Sequence, residues 1–113
     1  MRLFSSRAAP PMKVLSNLAG AHLTSDEVAD AVIAYSDAMA LAGGVELIDV
    51  PVFDGAGARF APIVVGSLAR LTARPPALGV AVTGEARKAL RALTREWISP
   101  RLGLHQDGRK WYF

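Results

Sequence analysis

Cysteine is absent from the 113 residues. That excludes disulfide staples, thiol nucleophiles and cysteine-ligated zinc together, and it fits a reducing, cytoplasmic setting. Histidine is nearly absent, with only His22 and His105. They form no H-x-x-x-H or H-x-H spacing, so neither a metal nor a cofactor is expected. Long apolar runs are also missing. Nothing approaches the ~20 residues of a membrane-spanning helix, so no membrane partner is expected.

The common catalytic signatures are missing as well. There is no G-x-S-x-G elbow, and any Ser-His-Asp set would have to be assembled in space around His22 or His105. Asp49 and Asp54 lie five apart on a predicted strand, so they point to opposite faces and make a poor carboxylate pair. Asp54-Gly55-Ala56-Gly57 lacks the later glycine of a dinucleotide fingerprint and reads as a turn. Thr83-Gly84-Glu85 opens a helix where amides could hold an anion, but Glu85 would repel it. No catalytic residue is nominated. A small enzyme survives only as a third reading, with a site the sequence does not display.

Lysine is scarce beside arginine, three to ten. The charges are also unevenly placed. Residues 1–54 hold three bases and seven acids, and residues 55–113 hold ten bases and three acids, so the halves carry −4 and +7. Such a split suits an anionic partner, or attraction between halves of one chain or of two. The chain length fits one domain. Twenty alanines inflate the apolar fraction of 51%. The core must therefore come from the larger apolar side chains, at roughly 25 cal/mol per Å² buried.

The first 25 residues contain Arg2, Arg7 and Lys13, serines and no acid. A transit peptide shares these traits. A frayed extension, with Met12 as an alternative start, accounts for them more simply. Arg7, Pro10-Pro11 and Lys13 interrupt the apolar core a secretory leader needs, although Ala19-Gly20-Ala21 looks like a cleavage site. Residues 1–23 show no clear period, beyond a short element at Met12–Leu18. They are read as an N-terminal segment outside a compact domain over 24–113.

Thr24-Ser25-Asp26-Glu27 reads as a capping box, with Thr24 as the cap. Val28, Ala31, Val32, Tyr35, Met39 and Ala42 follow at helical spacing, with Asp26, Asp30 and Asp37 on the opposite side. Gly43-Gly44 stops this helix, predicted at about 25–42. Thr83 caps a second helix at about 84–98, ended by Pro100. Ala86, Ala89, Leu90, Leu93 and Trp97 form its apolar side. Arg87, Arg91 and Arg95 recur every four residues beside Lys88.

Between the helices, about 45–66 reads as a central hairpin turning at Asp54-Gly55-Ala56-Gly57. A four-residue loop over Gly55–Ala58 would set Asp54 opposite Arg59, Phe53 opposite Phe60 and Pro51 opposite Pro62. Both prolines then avoid ladder hydrogen bonds. One face carries Leu47, Pro51, Phe53, Phe60, Pro62 and Val64. The other carries Ile48, Val50, Val52, Ala61, Ile63 and Val65. Neither face is polar, so something must cover both.

Ser67 to Arg74 suits a strand slightly better than a helix, and Pro75-Pro76 ends it. Leu78, Val80 and Val82 suggest another short strand. In the tail, Gln106-Asp107-Gly108 reads as a turn, and Trp111-Tyr112-Phe113 as a docking segment.

The expected fold is α+β: an antiparallel sheet of three to five short strands with two amphipathic helices packed on it. The expected role is non-enzymatic binding or self-association, most simply as a homodimer. Pro51, Phe53, Phe60 and Pro62 are the candidate interaction surface. Complementary acidic and basic helix faces support it. The alternative is a nucleic-acid accessory role, with Arg87, Lys88, Arg91 and Arg95 as phosphate contacts, extended by Arg70, Arg74 and Arg101. No helix-turn-helix or RNA-binding signature accompanies that stripe.

Overall fold

The computed structural model describes residues 12–55 and 57–106, with side chains as far as Trp97. The elements are β1 (Met12–Asn17), β2 (Gly20–Ser25), α1 (Asp26–Leu41), β3 (Val45–Asp54), β4 (Gly57–Gly66), β5 (Thr72–Arg74) and α2 (Gly84–Gln106). One antiparallel five-stranded sheet runs in the order β4-β3-β2-β1-β5. The α+β expectation holds. α1 touches every strand, whereas α2 packs against β3 and β4.

The hairpin over 45–66 keeps its expected bounds but not its central place, because β4 is an edge strand. The middle strand is β2, flanked by β3 and β1, and β1 and most of β2 are residues grouped above with an N-terminal segment. Their turn is built by Asn17, whose side-chain oxygen accepts the Ala19 N–H at 2.8 Å. An asparagine that folds back in this way makes a tight turn without the usual glycine pair.

Thr24 is not the α1 cap. Ser25 takes that role, its hydroxyl accepting the Val28 N–H at 3.1 Å. Thr24 is fully buried and donates to the Pro51 carbonyl at 2.8 Å. This bond compensates for a thin seam, since β2 and β3 share one paired position, Leu23 with Phe53. The far end of α1 closes as expected, with Gly43 at φ 75° and the Gly44 N–H donating to Met39.

The β3–β4 register is two residues away from expectation. Asp54 pairs with Gly57, which sets Pro51 opposite Phe60, Phe53 opposite Ala58 and Asp49 opposite Pro62. Gly55 adopts φ 62°, which makes the shorter loop accessible. A shift of two preserves the faces, because side chains alternate with period two. Asp54 and Arg59 still meet diagonally, at 2.7 Å.

Ile48, Val50, Val52, Ala61, Ile63 and Val65 are all buried. They form the core with Leu15, Val28, Ala29, Val32 and Trp97. Two further ties hold α1 to the sheet end. Ser36 accepts the Gly66 N–H at 2.8 Å, and Tyr35 donates to Glu46. At Gly66, φ is 107° and a Cβ would collide with the Gly44 carbonyl.

Residues 67–71 form a turn rather than a strand, broken by Arg70 at φ 51°, and only Thr72–Arg74 pairs with β1. Leu78, Val80 and Val82 make no strand. They follow the two N–H-free prolines, and Leu78 stands fully in solvent. Thr83 caps α2 as expected, accepting the Ala86 N–H at 3.0 Å. The helix does not stop at Pro100 but continues to Gln106. A proline removes only one helical N–H donor, and the ladder resumes beyond it. The expected tail turn and docking aromatics lie outside the described residues.

Candidate binding surfaces

The four residues of the expected hairpin surface do not form one surface. Pro51 is fully buried, Phe53 and Phe60 are half-buried, and Pro62 is exposed. Phe60 packs against the core. Phe53 and Pro62 line two different clefts. What is open on this side of the hairpin is Val45 at 55% exposure, Leu47 at 64%, Asp49 and Pro62. Leu47 was legible as a member of this face. Its exposure was not, because alternation shows that a face is apolar but not whether anything covers it.

Leu47 and Pro62 belong to a groove of about 220 Å³ that also includes Leu15, Val64, Leu71 and His22. Burial pushes the His22 imidazole below its ordinary pKa, and the nearby Arg59 guanidinium adds to this. Asp54 acts in the opposite direction.

The edge of β4 is guarded. Outward from the closing Asp54–Gly57 pair, alternation turns the backbone groups of Phe60, Pro62, Val64 and Gly66 away from β3. The Phe60 carbonyl accepts from Arg59 and the Val64 carbonyl from Asn17. Pro62 has no N–H to offer, and the Gly66 N–H is held by Ser36. Side chains thus occupy several of the positions another strand would need.

The basic stripe of α2 divides. Lys88, Arg91 and Arg95 are exposed, while Arg87 is half-buried. Arg70 and Arg74 are exposed on and beside β5, and Arg74 donates to Ser16 at 3.1 Å. Arg87 and Arg91 line a second cleft of about 310 Å³ between α2 and the start of α1. Met12, Phe53 and Leu90 supply its apolar wall, and Asp26 and Glu27 its acids. The sequence presented those acids only as first-turn helix residues. Their meeting with Arg87 is a product of the tertiary fold.

Comparison with protein-family models, with curated proteins and with solved structures finds no match. Among the described residues, no group of three or more His, Asp or Glu is placed to hold a metal ion. Among the same residues, no helix is long and apolar enough to cross a membrane.

Proposed function

We propose that this chain is a non-enzymatic binding domain that self-associates as a dimer through the open face of its β3–β4 hairpin, in a cytoplasmic setting. The observation that carries this reading is the exposure of Val45 and Leu47 on a hairpin whose other face buries Ile48, Val50, Val52, Ala61, Ile63 and Val65. Exposed apolar residues grouped on one face are a usual mark of a contact surface. The guarded β4 edge favours contact between faces over strand addition. Exposed Asp30 and Asp37 on α1, and Arg91 and Arg95 on α2, supply complementary charge between copies. The lack of cysteine supports the cytoplasmic setting. Sedimentation velocity across a concentration series tests the reading. A concentration-dependent dimer supports it, and a strict monomer up to about 100 μM overturns it.

A second reading draws on the exposed Lys88, Arg91 and Arg95, which suit contact with nucleic-acid phosphates. It expects retention on heparin that falls steeply with salt. If the double variant Arg91→Glu, Arg95→Glu eluted unchanged, the stripe would be excluded as the contact.

A further inference from the structure

Two residues that line the cleft between α1 and α2 each carry a buried polar atom that the fold leaves without a partner. Asp26 Oδ1 and Arg87 Nε are both buried, and neither has a hydrogen-bond partner in the protein. Both residues line the same cleft. They do not pair with each other. Among the described residues, the ion pairs within 4.0 Å are Lys13–Asp30 and Arg59–Asp54. A negatively charged hydrogen-bond acceptor and a positively charged donor thus line one space without pairing.

Buried polar groups in folded proteins are almost always satisfied, and an exception calls for an explanation. A single guest would supply one here if it offered an N–H donor to Asp26 and an oxygen acceptor to Arg87. The rim repeats the same two signs, with exposed Glu27 and Arg91. Met12, Phe53 and Leu90 line the cleft with apolar surface. Its volume of about 310 Å³ lies at the small end of ligand pockets, which span roughly 300–1,000 Å³. The space is thus small, apolar in its wall and of both charges at its polar groups.

We propose that this cleft binds a small zwitterion with an apolar body, an apolar amino acid or short peptide, its ammonium on Asp26 and its carboxylate on Arg87. A purely anionic ligand would bring its charge against Asp26 and Glu27. A purely cationic one would meet Arg87 and Arg91. Only a guest carrying both charges matches both walls. The site is separate from the proposed association face, since none of Val45, Leu47 or Pro62 lines it.

The test is an amide NMR titration of the full chain with L-phenylalanine and with L-leucyl-L-phenylalanine. Phenethylamine, which lacks the carboxylate, and 3-phenylpropionate, which lacks the ammonium, are titrated alongside. At least one zwitterion is expected to shift the amides around Asp26 and Arg87 saturably, with Kd at or below about 1 mM. Which of the two binds more tightly tells whether the charges must sit on one carbon or two residues apart. Each half-ligand is expected to bind at least ~10-fold more weakly. Asp26→Asn and Arg87→Gln should each weaken the zwitterion by ~10-fold. If either variant fails to fold, the half-ligand comparison on the unmodified chain decides alone. The proposal is overturned if no probe saturates by about 10 mM, or if a half-ligand binds as well as the zwitterions.

Discussion

Leu47 and Ile48 are neighbours in sequence, similar in size and equally apolar, yet one is 64% exposed and the other 3%. The whole β3–β4 hairpin repeats this contrast. Ile48, Val50, Val52, Ala61, Ile63 and Val65 are buried in one core with α1 residues and Trp97. Across the strands, Val45, Leu47 and Pro62 look outward. The first face is needed to fold the domain. On the second, Pro51 and Phe60 are packed, but the exposed Val45 and Leu47 contribute little to folding, so their apolar character calls for another reason.

Substitutions on the two faces should therefore separate stability from association. The largest effect is expected at the closed face. Ile48→Ala should cost about 2–5 kcal/mol in chemical denaturation, since it removes buried methylenes and leaves a cavity. Next comes the seam between hairpins. Thr24→Val should cost about 1–3 kcal/mol, because it strips the buried Pro51 carbonyl of its donor while conserving shape. Leu47→Ala should change monomer stability by no more than about 0.5 kcal/mol. If it cost as much as Ile48→Ala, the open face would belong to the core and the comparison would fail.

The smallest expected effect concerns pH. Leu23 pairs with Phe53, so His22 projects to the opposite side, towards Asp54 and Arg59. Its environment disfavours the charged imidazole, so the folded chain takes up that proton less readily than the unfolded one. Its contribution to stability is thus complete above the ordinary pKa of 6.5 and is lost as pH falls below it. His22→Asn should flatten the stability profile between about pH 7 and pH 5. An unchanged slope on melting the two proteins across that range would remove His22 as its source.

How far the sequence spoke differs by element, for physical reasons. α1 was legible because its apolar residues keep one helical period and Gly43-Gly44 ends it. Its cap was misplaced by one residue because Thr24 and Ser25 are both competent caps. Only the Pro51 carbonyl, distant in sequence, decides which hydroxyl is free to act. The two faces of β3–β4 were legible from alternation alone. The register was not, since loops of two and four residues preserve the same alternation. β1 was legible only as a short element at Met12–Leu18 and β2 not at all, because their turn rests on one asparagine side chain and their pattern mixes Lys13, Ser16 and His22 with apolar residues. Pro100 was read as a stop, but a helix already under way continues past it. The Asp26–Arg87 cleft was beyond reach, since residues from both helices and three strands meet there only through packing.

The open face of the hairpin is proposed above as a contact surface. Sedimentation equilibrium of the unmodified chain beside Leu47→Glu tests it most directly, with thermal melts of both as a control. A dimer is expected for the unmodified chain, weakened at least ~10-fold in the variant by one charge in an apolar contact. The variant monomer should melt like the unmodified one. A dimer that Leu47→Glu left intact, or no dimer in either protein, would contradict it.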